Sequence, residues 1–299
     1  MRSSGASRGR RPGTEGDDVA SAIAAPQGDI GRPTLSAQNI TFGYQERVVG
    51  RDLSLVVPPG SLTVIVGPNA CGKSTLLRAL SRLLRPSDGT VVLDGQDIHS
   101  RSTKEVARRL GLLPQSAIAP EGISVVDLVG RGRFPYQSLL SQWSRADEEA
   151  VDAALERTNT RDLALRSVDE LSGGQRQRVW MAMVLAQETP LMLLDEPTTF
   201  LDIAHQIELM ELLRRLNRDE GHTIVAVLHD LNQAARYASH LVAMRDGVIV
   251  ARGAPSEILT AQRVKEVFEL TCRVIEDPVS GTPLIVPDPD ADRAATGRA

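Results

Sequence analysis

Three short runs of this chain are almost wholly apolar, and each ends abruptly in residues able to do chemistry. Leu62-Thr-Val-Ile-Val66 runs into Gly67, Leu191-Met-Leu-Leu194 into Asp195-Glu196, and Thr223-Ile-Val-Ala-Val-Leu228 into His229. Short runs without polar alternation, bounded by turn residues, predict strands covered on both faces, as in a parallel sheet. In open α/β sheets ligands sit beyond the carboxyl ends of the strands. Three strands that deliver a glycine-rich loop, a carboxylate pair and a histidine to one edge therefore predict a site there.

The remaining pattern fills in the elements. Leu35 to Thr41, Asp52 to Val57 and Thr90 to Leu93 read as strands, the last followed by the turn Asp94-Gly95, and they predict an antiparallel layer on the N-terminal side. Residues 74–84 read as a helix with Leu76, Leu77, Leu80, Leu83 and Leu84 on one face, ended near Pro86. From about 118 to 168 strands give way to helical patterns, including Ala146 to Arg157, which predicts a helical subdomain inserted into the sheet domain. Leu241 to Met244 and Val248 to Ala251 form a hairpin across Arg245-Asp246-Gly247, and Pro255 to Leu270 read as closing helices. There is no internal repeat, so the chain carries one site of its own. The fold class expected is α/β with a mainly parallel core sheet.

Composition narrows the setting. At 299 residues, 41% hydrophobic and 24% charged, the chain has the makings of an ordinary globular protein. A net charge of -4 excludes retention on nucleic acid by bulk positive charge. Two cysteines, Cys71 and Cys272, make no disulfide scaffold and suit a reducing cytoplasm. Residues 1–33 read as a solvated, disordered leader: the run Arg8-Gly-Arg-Arg11 has no apolar segment behind it, as an export signal needs. Residues 287–299 read as a disordered tail, leaving 34–286 as the folded part. Aromatics are 3%, so the core must be built from Leu, Val, Ile and Ala.

The segment Gly67-Pro-Asn-Ala-Cys-Gly-Lys-Ser-Thr75, with a strand before it and a helix after it, fits a phosphate-binding loop. Its glycines let successive N–H groups point at phosphate oxygens, and the helix N-terminus adds positive potential. Lys73 is placed to bridge the β- and γ-phosphates and the Ser74 hydroxyl to ligate Mg²⁺. Lys73 is one of three lysines against thirty-one arginines, at a place where a compact point charge is wanted. Asp195 is placed to hold Mg²⁺ and Glu196 to polarise the attacking water; a plain cap on a strand end is the competing reading. His229 reads either as a satisfied loop histidine or, at this edge, as a contact to the γ-phosphate oriented by Glu196. Tyr44 reads as a stacking surface for adenine or as an exposed turn aromatic. Cys71, inside the loop, predicts thiol-sensitive activity. Leu171-Ser-Gly-Gly-Gln175 precedes a helix from about Arg176 to Ala186 and also presents N–H groups to an anion, yet the phosphates already have a cradle in Gly67 to Thr75. A second copy of the chain resolves that surplus.

These residues resemble the ATP-binding subunits of ATP-binding-cassette transporters over nearly all of Leu35 to Leu270. The resemblance runs in order through Tyr44, the phosphate loop, Gln115, Leu171 to Gln175, Asp195-Glu196, Asp202 and His229. It implies the P-loop NTPase fold of that family and two subunits arranged head to tail. Ser172, Gly173, Gly174 and Gln175 would then meet ATP held by the partner, and Asp202 would act across the interface. It also implies that Gln115 joins Ser74 and Asp195 around Mg²⁺. The expected protein is a homodimeric ATPase peripheral to the inner face of the cell membrane, docked on integral permease subunits and served indirectly by a substrate-binding protein. Arg131-Gly-Arg-Phe-Pro-Tyr136, Glu196 to His205 and His229 to Tyr237 further resemble the subunits that power ferric-siderophore uptake. Haem and cobalamin importers share much of this wording, an exporter would use the same ATP chemistry, and soluble repair or translation ATPases usually carry insertions lacking here. Ala70 departs from the glycine usual at its place in the loop, and little effect is expected of so small a side chain.

Overall fold

In the computed structural model, which describes residues 33–45, 47–138 and 143–288, the three apolar runs are adjacent members of one sheet. The chain order is β1 (Leu35–Tyr44), β2 (Arg47–Val57), β3 (Leu62–Val66), α1 (Lys73–Leu80), β4 (Asp88–Leu93), β5 (Gln96–Asp97), α2 (Thr103–Ala107), β6 (Leu110–Leu113), α3 (Val125–Gly130) and α4 (Arg145–Arg157). There follow α5 (Gly173–Ala186), β7 (Leu191–Asp195), α6 (Ile203–Arg218), β8 (Thr223–Val227), α7 (Leu231–Tyr237), β9 (His240–Arg245), β10 (Val248–Gly253), α8 (Pro255–Ile258), α9 (Ala261–Phe268), β11 (Cys272–Glu276) and β12 (Pro283–Pro287). The core sheet runs β10-β9-β3-β8-β7-β6, parallel except for β10, and β2-β1-β4-β5 form the antiparallel layer. β11 and β12 make a small hairpin of their own.

Continuous hydrophobicity has the expected cause. Along β3, Leu62, Val64 and Val66 face the helices, while Ile65 faces the antiparallel layer and α1. β7 divides likewise, with Met192 and Leu194 on the first side and Leu191 and Leu193 on the second. Each such buried leucine or valine contributes on the order of 2 kcal/mol of hydrophobic stabilisation. The carboxyl ends of β3, β7 and β8 thus form a rigid rim.

Among the helices, two expected boundaries move furthest. α1 ends at Leu80, not at Leu84: Arg82 takes a left-handed φ of 69°, and the N–H groups of Arg82 and Leu84 bond back to the carbonyls of Ala79 and Arg78. Leu83 therefore leaves the expected apolar face and is 65% exposed. α5 starts at Gly173, earlier than the expected Arg176, because Ser172 and Gln175 form a reciprocal capping box that draws both glycines into the first turn. α3, α4 and α5 pack together as a helical layer with Leu128, Val129, Val151, Leu155 and Met181 inside.

Candidate active site

The loop after β3 is held open by close backbone packing. A Cβ at Gly67 would lie 2.2 Å from the Met244 carbonyl oxygen, and Gly72, the cap of α1, has φ 104°. Ala70 adopts φ 60°, the left-handed region that an L side chain resists. Little effect is expected from the size of this side chain, and the left-handed backbone adds a modest cost of its own. Ala70→Gly is expected to raise stability by about 1 kcal/mol, the left-handed penalty less the extra entropy of glycine in the unfolded chain. Thermal melting checks this, and an unchanged or lower melting temperature would count against strain at this residue.

Lys73 is buried, and its Nζ donates to the carbonyls of Gly67 (2.9 Å) and Pro68 (2.8 Å). The Ser74 hydroxyl donates to Asp195 Oδ1 at 2.8 Å across the gap between α1 and β7. Burial pushes the Asp195 carboxyl up and Glu196 adds to it, while the Ser74 hydrogen bond and the charges of Arg78 and Lys73 oppose the rise. Glu196, the residue after β7, has φ 52°, another left-handed non-glycine. Strain of this kind persists only where the surroundings hold it, and here they do. His229 Nε2 lies 2.6 Å from Glu196 Oε1, Thr199 donates to Oε2 at 3.3 Å, and the Gln115 amide bonds the same carboxylate. Burial alone would push Glu196 up; hydrogen bonds from His229, Gln115 and Thr199, with the His229 charge, outweigh it and hold the group below the ordinary carboxylate range.

Lys73, Ser74, Gln115, Glu196 and His229 line one cleft of about 800 Å³, together with Tyr44, Asn69, Ala70, Gly72, Thr75, Arg47 and Val49; Asp195 and Thr199 lie behind that lining, bonded to Ser74 and Glu196. Tyr44, at the end of β1, is 44% exposed, and its hydroxyl accepts from Arg78 at 2.8 Å. Arg47 and Val49 on β2 and Thr199 after β7 are additions that the sequence did not single out. Only Thr199 carried a signal, a hydroxyl one turn beyond Glu196. The Cys71 thiol, by contrast, is buried among Ile65, Leu76 and Leu77, and burial pushes it up despite Lys73. That placement opposes the expected thiol sensitivity, since the reactive species is an accessible thiolate.

Ser172, Gly173, Gly174 and Gln175 are not in the cleft. They open α5 on another surface, where Gly173 lies against Phe200. Asp202 caps α6, accepting from the His205 N–H at 2.9 Å and lying 2.8 Å from His205 Nδ1. Beside it Phe200, Ile203 and Ile207 are exposed.

A triphosphate fits the loop and its ammonium. For a divalent cation, no group of three or more His, Cys, Asp or Glu side chains is found among the described residues. Ser74, Asp195 and Gln115 supply the sparse oxygen set that Mg²⁺ accepts when phosphates and water complete its shell.

Known proteins resemble the chain in sequence and fold. The family model described as ABC transporter matches residues 51–199. The ferric enterobactin transport ATP-binding protein FepC of Escherichia coli (strain K12) is 58% identical over 85% of this chain and 93% of its own length. The probable siderophore transport system ATP-binding protein YusV of Bacillus subtilis (strain 168) is 54% identical over 86% and 94%. A dimeric post-hydrolysis structure of the ATP-binding cassette MJ0796 with ADP and phosphate superposes with a TM-score of 0.67, at 27% identity, over 74% of this chain and 98% of that one. Likeness of this extent over the folded part of the sequence places the chain in the ABC transporter family, among its ATP-binding subunits.

Proposed function

We propose that the chain is the ATP-hydrolysing subunit of an importer of ferric siderophores and works as a pair of identical copies beneath a membrane permease. One observation carries the pairing: the phosphate loop, Glu196 and His229 line one cleft, whereas Ser172 to Gln175 present a second anion-seeking helix start elsewhere on the same chain. Two copies set head to tail would bring each helix start over the other's cleft and cover Phe200, Ile203 and Ile207. Siderophore uptake is supported by identities of 58% and 54% to transport subunits of that class. Among the described residues no helix is long and apolar enough to cross a membrane; in this reading permease subunits, fed by a binding protein, carry the chelate.

In this reading Tyr44 stacks on adenine, and Lys73 exchanges two loop carbonyls for β- and γ-phosphate oxygens. Gly67 to Thr75 cradle the phosphates. Ser74, Asp195 and Gln115 would hold Mg²⁺, which would supply positive charge beside the transferred phosphoryl group. Glu196 orients the attacking water and accepts its proton, while His229 bridges that carboxylate to the γ-phosphate. Ser172, Gly173, Gly174 and Gln175 close on the partner's nucleotide, and Asp202 acts across the contact. Triphosphate favours the closed pair and diphosphate does not, and that difference in affinity moves the permease.

Cells carrying the chain with its permease should accumulate ferric siderophore, and cells lacking the chain should not. ATPase activity per chain should rise with protein concentration. Undiminished siderophore uptake without the chain would refute the transport reading, and a specific activity independent of dilution would refute the pairing.

A further inference from the structure

The hairpin β11–β12 lies beyond the segment matched by the family model, and it touches the helix that leaves the catalytic edge. β8 ends at Val227; Leu228 bonds the Ile65 carbonyl; His229 comes next; and Asp230 caps α7 by accepting from the N–H groups of Asn232 (2.7 Å) and Gln233 (3.0 Å). The position of His229 is thus set by β8 on one side and by a helix of two turns on the other. So short a helix has little stability of its own and must be held from outside.

Two side-chain amides tie its first turn to neighbouring elements. Gln233 Nε2 donates to Gln206 Oε1 on α6 at 2.7 Å. Asn232 makes a two-way pair with the main chain of Ile285 in β12: the Ile285 N–H donates to Oδ1 at 2.7 Å, and Nδ2 donates to the Ile285 carbonyl at 3.2 Å. The amide acts as one more rung on the hairpin's edge. Ile285 itself is buried in the core that also contains Ala234, Ala235 and Tyr237 of α7. The hairpin is fastened at its base, where the Asp288 N–H donates to the Thr271 carbonyl at 3.0 Å.

We infer that Asn232 is a positioning residue for His229, and that β12 is the brace against which it positions α7. The inference rests on the reading of His229 as a γ-phosphate contact. Removing the pair leaves both Ile285 main-chain groups without their partner and frees the start of α7 to shift, while the phosphate loop, on a different strand, is untouched.

The test compares Asn232→Ala, Asn232→Asp, His229→Ala and the double variant Asn232→Ala/His229→Ala in the full chain, assembled with its permease. Asn232→Ala is expected to lower kcat by about tenfold to a hundredfold, the cost of a misplaced catalytic group. The KM for ATP should hold, and amide exchange over 229–237 and at Ile285 should speed up. Asn232→Asp keeps the acceptor for the Ile285 N–H and should recover part of kcat. The double variant should be no slower than His229→Ala. A fall in kcat that is just as large again in the His229→Ala background would mean general structural damage and would overturn the proposal. So would unchanged kcat with faster exchange at Ile285. Wild-type turnover in His229→Ala would instead refute the role given to His229 itself, whatever Asn232 does.

Discussion

Glu196→Gln is expected to bind ATP as the native chain does and then to stall. The groups assigned to the phosphates, Lys73, Ser74 and the loop N–H groups, are untouched, so nucleotide affinity should persist and the two copies should accumulate as a closed pair. An amide cannot accept the proton of the attacking water, and losing a positioned base costs roughly 100- to 10,000-fold in rate. Phosphate release in a single turnover measures the chemical step, and gel filtration with ATP shows the trapped pair. Turnover at the native rate would remove Glu196 from the role of base. The carboxylate's surroundings add a pH expectation. Burial would raise it, yet His229, Gln115 and Thr199 together hold it below its ordinary value of 4.5. The base therefore keeps its charge to lower pH than an ordinary glutamate, so an acid limb of the rate profile that belongs to Glu196 should have its midpoint below the ordinary value.

Arg133→Met should cost more stability than any other single change considered. Arg133 is buried within the helical layer. It bonds Asp147 of α4 at 2.8 Å, the Ala186 carbonyl at the end of α5 at 2.7 Å and Glu188 at 2.6 Å, and its guanidinium lies 4.1 Å from the Tyr136 ring centre. The Asp147 side chain is only 7% exposed. Removing its partner leaves a buried charge uncompensated, an error worth about 3–5 kcal/mol. Urea unfolding should show a lower midpoint, and Asp147→Asn combined with Arg133→Met should recover part of the loss. The sign with pH follows from Asp147. Burial raises this carboxyl, but Arg133 and Ser144 outweigh burial and lower it below 3.8. Its contribution is present above the unfolded value and is lost as pH falls through the folded one, so native and variant chains should converge in strong acid. A variant as stable as the native chain near neutrality would show that the pair adds nothing net.

How far the residues announced all this depended on how local each cause was. The phosphate loop, the carboxylate pair and His229 were legible because each follows its own strand within a few positions, and parallel strands end at one rim. The mainly parallel core sheet followed from where hydrophobicity runs on without a break, and the antiparallel layer from short strand segments bounded by turns on the N-terminal side. The end of α1 was not legible: Arg82 carries no mark of a left-handed residue, and only the packed structure stops the leucine stripe at Leu80. Arg47 and Val49 enter the cleft because β2 folds back beside β1, which no spacing along the chain reveals. The partners of Arg133 lie at Asp147, Ala186 and Glu188, far enough along the sequence that its motif looked like a likeness without a mechanism. β12 is flanked by Pro283 and Pro287, and the expected folded part stopped at its edge. Of the leader expected at 1–33 and the tail expected at 287–299, residues 1–32 and 289–299 lie outside the described residues, while Pro287 closes β12.

Lys73 gives the cradle a manner of choosing its guest. With its ammonium already tied to the carbonyls of Gly67 and Pro68, the loop carries an internal counter-group and does not gape as a naked positive hole. A lone small anion would have to displace two satisfactory bonds of the ammonium and would meet fewer of the loop N–H groups than a longer one. A chain of phosphates returns several at once, so stray ions in the cell are poor competitors for the seat.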